Sequence, residues 1–205
     1  FEVSGKGSVL LSRYQHINSV GFSNALTHPH DKSDSFQFIQ RTLDRHGAAG
    51  QDSGNSCDRE AGYFESRING EKTGDDILSP AFTDFSKTDS YMTYDVKPLL
   101  RQGKNAISVI LGNGWYNCFA DDPWNTRAAT WRHWPKMICE LKLTYADGTE
   151  EKIVSDTSWK GGNGPIIFNG IRNGEHYDAR LELGDWESPD FDDSKWQSTK
   201  IVKSP

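Results

Sequence analysis

The chain has 205 residues, of which 23 are basic and 29 are acidic, and its net charge is −6. This charge argues against nucleic acid or an anionic membrane as the main partner, because both attract concentrated positive charge. No apolar run approaches the roughly 20 residues that a membrane-spanning helix needs. A chain of this length is long enough to bury a sizeable core, about 70% of the surface that its unfolded form exposes.

The sequence begins at Phe1, without a methionine and without a charged and then apolar leader. We therefore expect a segment of a longer protein, with any export signal in the missing N-terminal part. We separately expect the parent protein to be secreted or periplasmic. Cys57, Cys118 and Cys139 are an odd set without metal-ligand spacing, which favours the absence of disulfides.

The composition favours β-structure. The chain contains seven Trp, seven Tyr and 19 Gly but only two Met, and no amphipathic helix of ordinary length can be identified. Such a profile is typical of antiparallel β-domains with long loops. It is also typical of extracellular sugar-binding proteins, because aromatic rings pack on the apolar C–H faces of sugars.

In the first 60 residues, short strands are predicted at Val9 to Leu11 and at Phe36 to Thr42. The stretch from Gly47 to Glu60 is rich in Gly, Ser, Asp and Asn, which predicts a loop. A strand from Tyr63 to Ile68 then ends in Asn69-Gly70, a dipeptide typical of hairpins.

Further strands follow at regular intervals. Alternating apolar residues predict strands at Tyr91 to Val96, Asn105 to Leu111 and Met137 to Tyr145, with one helical turn around Pro98. The turn Ala146-Asp147-Gly148 leads to a return strand from Glu150 to Ser155. The predicted fold is all-β, an antiparallel β-sandwich or jelly roll with long loops and little helix.

Several sequence islands between Gly62 and Trp196 resemble, in order and spacing, the N-terminal domain of bacterial α-L-rhamnosidases. They are Gly62-Tyr63-Phe64-Glu65, Ile68-Asn69-Gly70-Glu71-Lys72, Leu78-Ser79-Pro80, Thr83-Asp84-Phe85, Tyr94-Asp95-Val96, Leu111-Gly112-Asn113-Gly114-Trp115-Tyr116, Gly164-Pro165-Ile166, Tyr177-Asp178-Ala179-Arg180 and Phe191-Asp192-Asp193-Ser194-Lys195-Trp196. Residues 1–60 and the segment Asn117 to Trp134 do not match the family pattern. The resemblance divides the chain into 1–60, which belongs to the same sandwich, a family-type sandwich at 61–185, and a linker or entry to a following β-domain at 186–205.

The resemblance implies that catalysis takes place in a helical (α/α)₆ barrel far downstream, among further domains of the same polypeptide. It also implies a carbohydrate-binding module for terminal L-rhamnose in plant, algal or microbial polysaccharides. In some family members a calcium ion is held by the turn corresponding to Gly112 to Trp115 and by a second loop, which corresponds to Asn163 to Pro165. The ligands expected here are Asn113, Asn163 and Pro165.

The residues themselves allow two interpretations of the turn Asn113-Gly114-Trp115. Asparagine oxygen suits a hard cation or a sugar hydroxyl, and glycine lets backbone oxygens come close. The alternative is a tight turn that ends a strand and requires φ > 0, with Trp115 in the core. The loop around Asn163 either completes the site or only connects two strands.

Asp121, Asp122 and Trp124 combine two carboxylates with an aromatic ring, as sugar sites do, although solvated loops contain the same residues. Glu175 and Asp178 have the composition of an acid–base pair but lie only three residues apart, without a third residue to support them. The family resemblance implies a structural role instead, in which Asp178 and Arg180 brace the join to the next domain. The histidines show no zinc spacing.

Three functions follow. The first is a rhamnose-binding module that is not itself an enzyme, the second is a structural spacer that supports the catalytic barrel, and the third is an independent hydrolase or lyase. No catalytic constellation supports the third function.

Overall fold

The computed structural model describes the backbone of residues 19–21, 37–45 and 53–61, and both backbone and side chains of 62–87, 89–145 and 149–202. The described strands form two six-stranded antiparallel sheets and one separate hairpin. The predicted strand at Val9 to Leu11, the turn at 146–148 and the Cys57 side chain lie outside the described residues.

The first sheet has the strand order β14-β1-β8-β3-β6, and β9 also pairs with β8. Its strands are β1 (Ser19–Gly21), β3 (Ser53–Ala61), β6 (Tyr91–Asp95), β8 (Lys136–Thr144), β9 (Glu150–Val154) and β14 (Lys200–Val202). The second sheet has the order β13-β10-β2-β7-β4-β5. Its strands are β2 (Gln37–Arg45), β4 (Tyr63–Ile68), β5 (Glu71–Lys72), β7 (Gly103–Gly112), β10 (Lys160–Asn163) and β13 (Gln197–Ser198).

The hydrophobic core lies between the two sheets. Ile107, Val109 and Leu111 of β7 alternate with their neighbours along the strand, and they belong to one buried cluster with residues of β8. Trp159 is fully buried in this cluster, and its indole Nε1 donates to the Val154 carbonyl at 3.1 Å. The structure thus confirms the all-β sandwich that the period-two pattern predicts.

Local turn chemistry explains the β4–β5 hairpin. Asn69 and Gly70 both have positive φ, 53° and 85°, as the type I′ turn requires. The Asn69 side chain also accepts from Ala106 N at 3.0 Å and donates to the Leu99 carbonyl at 3.0 Å. The predicted hairpin at Asn69-Gly70 is confirmed, and its side chain ties the turn to β7.

The predicted loop from Gly47 to Glu60 was wrong for its second half, because β3 occupies Ser53–Ala61. Its sequence has little intrinsic preference for a strand. It is nevertheless paired along its whole length with β8 and over five residues with β6, so tertiary pairing outweighs local propensity.

Helical structure in the described part of the chain is limited to three short 3₁₀ turns, Lys97–Leu99, Thr126–Ala128 and Ala179–Leu181. None of the helices described is long and apolar enough to cross a membrane. The two cysteines with described side chains, Cys118 and Cys139, are buried and form no disulfide.

The C-terminal strands belong to the sheets. β13 pairs with β10, and β14 pairs with β1, so residues 197–202 extend the sandwich within the segment predicted as a linker. The division of the chain at residues 60 and 186 otherwise stays a prediction.

Candidate functional site

Strand register gathers several loops at one end of the second sheet. Asn163 at the end of β10 pairs with Gln37, and Gln37 pairs with Leu111 near the end of β7. The turn after Gly112 and the loop at 163–165 therefore leave the same sheet end, about 10 Å apart at two strand spacings. A third chain segment, the hairpin of β11 (Ile166–Gly170) and β12 (Gly174–Tyr177), follows directly from that loop.

The turn after β7 depends on glycine. Gly114 has φ +50°, and a Cβ there would lie 3.0 Å from Tyr63 Cγ and 3.1 Å from the Tyr63 nitrogen. The backbone therefore needs both the left-handed conformation and the missing side chain. This geometry fits the interpretation of the Gly114 turn as a strand-ending turn with φ > 0.

Asn113 is a buried structural residue, with 1% of its surface exposed. Its backbone N–H donates to Asn169 Oδ1 and its Nδ2 donates to the Asn169 carbonyl, each at 2.9 Å. Its Oδ1 accepts from Asn117 Nδ2 at 2.8 Å. β11 and the residues after the turn thus cover the amide of Asn113, and its predicted direct contact with a ligand stays a prediction.

The asparagine network fixes the hairpin to the turn. Asn169 is buried, and its Nδ2 has no hydrogen-bond partner among the described residues. Asn117 is buried and takes part in the same network. Sequence reasoning missed the roles of Asn117 and Asn169. The local signals were two Asn-Gly dipeptides, Asn169-Gly170 and Asn173-Gly174, which are typical of turns.

An exposed aromatic surface lies beside this network. Trp124 is 70% exposed, and Trp115 is half-buried. The guanidinium carbon of Arg172, at the tip of the β11–β12 hairpin, lies 5.1 Å from the Trp124 ring centroid and 5.4 Å from that of Trp115. We call Trp115, Trp124 and Arg172 the aromatic platform. Both tryptophans were predicted site residues, whereas Arg172 was not.

Asp122 holds the platform loop in shape. Its carboxylate accepts from Trp124 N at 3.0 Å, Thr126 N at 3.1 Å and Thr126 Oγ1, and it lies 3.8 Å from Arg172 Nε. Hydrogen bonds from Thr126 hold the pKa of the Asp122 carboxyl below its usual value, and Arg172 acts in the same direction. Asp121 instead pairs with Arg127 at 3.2 Å. The structure therefore brings Asp122, but not Asp121, into contact with the platform.

The residues predicted to bind calcium do not make a fitting donor set by themselves. Both oxygens of Asn113 accept hydrogen bonds from Asn117, and the Pro165 carbonyl accepts from Asp178 N at 2.8 Å. Asn163 is exposed. Within the described residues, no group of three or more His, Cys, Asp or Glu side chains is arranged to hold a metal. A calcium ion prefers six to eight oxygens, usually with carboxylates among them, so calcium stays an untested prediction.

Glu175 and Asp178 do not resemble an acid–base pair. Asp178 accepts from Arg180 Nε at 2.8 Å and Nη2 at 2.6 Å. These hydrogen bonds keep the pKa of the Asp178 carboxyl below its usual value, so this group is ionised at neutral pH. Glu175 is exposed on β12. The arrangement fits the structural role expected for Asp178.

A buried polar cluster lies on the inner side of the same turn. Tyr116 is fully buried against Phe85, and the Lys136 Nζ lies 5.5 Å from the centroid of the Tyr116 ring. Burial raises the pKa of Tyr116, and the Asp89 charge raises it further. Burial lowers the pKa of Lys136, although Asp89 opposes that shift. The Tyr116 hydroxyl has no hydrogen-bond partner among the described residues.

Comparisons with known proteins point to α-L-rhamnosidases. The sequence model of the α-L-rhamnosidase N-terminal domain matches residues 59–205. An α-L-rhamnosidase of Formosa agariphila is 45% identical over 142 residues, which are 68% of this chain and 15% of that protein. The chain therefore spans a small part of the relatives that it matches.

Solved structures agree with the sequence match. The α-L-rhamnosidase from Dictyoglumus thermophilum superposes with a TM-score of 0.78 at 32% identity, covering 92% of this chain and 21% of that one. The Streptomyces avermitilis α-L-rhamnosidase complexed with L-rhamnose has a TM-score of 0.76 at 31% identity, covering 84% of this chain and 16% of that one.

Proposed function

Because this chain belongs to the α-L-rhamnosidase N-terminal domain family, we propose that it is a non-catalytic domain that binds terminal L-rhamnose residues of polysaccharides. One observation carries the proposal, the exposed Trp124 ring beside Arg172 and Trp115 at the end of the sandwich. An indole ring that is 70% exposed, next to a second indole and a guanidinium, offers a large apolar surface to a ligand.

The chemistry of a deoxyhexose suits this surface. L-Rhamnose has a methyl group and axial C–H bonds on part of its surface, and these pack against an indole ring. Its hydroxyls need donors and acceptors, which Arg172 and the loop backbone around Asp122 offer. Support also comes from the Streptomyces avermitilis relative, whose solved structure is complexed with L-rhamnose.

The non-catalytic part of the proposal rests on the carboxylates. Among the described residues, Glu175 and Asp178 are the pair that the sequence marked as an acid and a base, and Asp178 is ionised and paired with Arg180. Glycoside hydrolysis needs one carboxyl that stays protonated and a second across the sugar bond. We therefore expect the reaction to belong to other domains of the parent enzyme, which we propose is secreted or periplasmic because its polysaccharide lies outside the cell.

A second candidate function is a structural spacer. The β11–β12 hairpin and the turn after it expose Ile167 at 43%, Tyr177 at 54% and Leu181 at 46%. These apolar side chains favour contact with a downstream domain of the same polypeptide. This function does not require any sugar to bind.

Calorimetry of the 205-residue chain with L-rhamnose distinguishes the sugar-binding function from the spacer function. We expect a Kd in the micromolar to millimolar range, because a monosaccharide offers few atoms for contact. Trp124→Ala should abolish the signal, whereas Tyr91→Ala, which removes an aromatic ring from the first sheet, should keep it. If the unaltered chain gives no heat with rhamnose, in calcium or in EDTA, the spacer function is favoured.

A matched enzyme assay tests the non-catalytic part. Incubation of the chain with an aryl α-L-rhamnoside should release no phenol above the blank. Release that disappears in Glu175→Gln or Asp178→Asn would contradict the proposal.

A further inference from the structure

Arg172 is in cation–π contact with two indole rings, and its N–H donors stay available. Its guanidinium lies over the Trp115 and Trp124 rings, and its side chain is 36% exposed. The nearest described carboxylate oxygen, Asp122 Oδ2, is 3.8 Å from Nε, beyond hydrogen-bond distance. Among the described residues, none accepts a hydrogen bond from Arg172.

The Asp122 carboxylate does not neutralise Arg172 in the way that a bidentate ion pair would. It is already an acceptor for Trp124 N and for both Thr126 N and Thr126 Oγ1. By contrast, Arg180 in the same hairpin region makes two hydrogen bonds to Asp178. The comparison shows that Arg172 is oriented by its neighbours and not saturated by them.

A planar guanidinium with open donors prefers a planar or trigonal oxyanion, which it binds through two parallel hydrogen bonds. Contact with the two indole rings also restricts its rotamers before a ligand arrives, so little additional conformational freedom is lost on binding. The exposed Trp124 surface beside it would hold the apolar part of the same sugar.

We propose that Arg172 makes this site selective for acidic glycans, in which the bound rhamnose carries or adjoins an oxyanion. Two chemical sources would supply it, the carboxylate of a neighbouring uronic acid or a sulfate ester on the sugar. The inference rests on the proposed sugar-binding function and specifies its ligand class. It makes Arg172 the residue that determines specificity, while the tryptophan rings provide the apolar contact.

The test compares ligands within each variant. Calorimetry would use a rhamnosyl-uronic acid disaccharide, its carboxyl-reduced neutral form, a rhamnose sulfate ester and methyl α-L-rhamnoside. For the unaltered chain, at least one acidic ligand should bind about tenfold more tightly than its neutral counterpart, as a charge-assisted bidentate contact provides. If only one of the two acidic ligands, the uronate or the sulfate ester, binds more tightly than its neutral counterpart, that ligand identifies the source of the oxyanion. Added salt should reduce that preference.

Three variants test whether Arg172 causes the preference for acidic ligands. Arg172→Gln should bring the affinity ratio of acidic to neutral ligand close to one, and Arg172→Lys should give a smaller ratio than the unaltered chain because it lacks the planar fork. Arg132→Gln removes an equal charge from an exposed position in the 117–134 segment and should keep the original ratio. Their melting temperatures should match, since each replaces an exposed side chain.

The outcomes are distinguishable. Equal affinity for acidic and neutral rhamnosides in the unaltered chain, or a preference that survives Arg172→Gln, overturns the acidic-ligand inference and leaves the proposed function standing. Absence of binding to all four ligands overturns the proposed function itself.

Discussion

Tryptophan has opposite roles in two regions of this domain. Trp159 lies between the sheets, fully buried, and its indole N–H is bonded to the Val154 carbonyl. Trp124 lies on the aromatic platform, is 70% exposed, and is in cation–π contact with the Arg172 guanidinium, whose donors are open. In the core, burial and a satisfied polar group contribute to folding. On the platform, apolar surface and unsatisfied donors contribute nothing comparable to folding but are available to a ligand.

The largest expected loss of stability follows from a substitution in the core. Trp159→Ala should lower the free energy of unfolding by about 3–5 kcal/mol, because it removes a large buried side chain and leaves a cavity. Urea denaturation measures this loss. The matched change on the platform, Trp124→Ala, is the control, and equal losses in the two variants would contradict the comparison.

The second largest loss of stability is expected at Asn113, which lies between the core and the aromatic platform. Asn113→Ala should cost about 1–3 kcal/mol, because the Asn169 carbonyl and Asn117 Nδ2 would be left buried without their partner. Thermal or urea unfolding measures it. Asn173→Ala, at an exposed asparagine of the neighbouring hairpin turn, should stay within about 0.5 kcal/mol. An Asn113 variant as stable as the unaltered chain would show that the network is dispensable.

A pH effect probes the buried hydroxyl of Tyr116. Its pKa is raised above the ordinary 10.0 mainly by burial, so above pH 10 the unfolded chain loses this proton while the folded chain keeps it. Ionisation of Tyr116 leaves the free energy of unfolding unchanged below pH 10 and lowers it above that pH, by at most about 1.4 kcal/mol per pH unit.

Tyr116→Phe should remove that part of the decrease. At pH 7 it should be neutral or slightly stabilising, because the hydroxyl has no hydrogen-bond partner among the described residues. Chemical unfolding at pH 7 and at several values above pH 10 would measure both effects. Parallel curves for the two proteins across this range would rule out the role of Tyr116.

The smallest stability effect belongs to the platform. Trp124→Ala should change the free energy of unfolding by less than about 0.5 kcal/mol, since most of the ring is already in water. The same variant should lose rhamnose binding in calorimetry. A large loss of stability together with lost binding would mean that the platform is a part of the core.

Much of the fold could be predicted from local pattern. β7 places Ile107, Val109 and Leu111 on one face, and β8 places four apolar residues at alternate positions from Met137 to Leu143. The β4–β5 turn carries its own signature in Asn69-Gly70. β3 could not be predicted, because its sequence, SGNSCDREA, has neither the alternation nor the branched side chains of a strand. Its pairing with two neighbours determines its structure.

The site was less predictable for a related reason. Asp122 and Trp124 stand out because loop residues of these types are typical of sugar sites. Arg172 lies 48 residues after Trp124 in the sequence, and only the folding of the hairpin brings the two together. Asn113 was predicted to contact a cation or a sugar, and the cover that β11 places over it through Asn169 has no signal in the neighbouring sequence. Contacts between distant segments leave no local pattern.

The asparagine hydrogen bonds also affect how this protein ages. Asparagine followed by glycine is prone to deamidation, since the glycine N–H readily attacks the side-chain amide, and the chain has five such pairs, at Asn69, Asn113, Asn163, Asn169 and Asn173. Asn69 and Asn113 are held by hydrogen bonds from both ends of the amide, and Asn169 is buried with its Oδ1 bonded. Asn163 and Asn173 are exposed. During storage, deamidation should therefore be fastest at Asn163 and Asn173 and slowest at the three asparagines whose amides are bonded or buried. Peptide mapping by mass spectrometry would measure these relative rates.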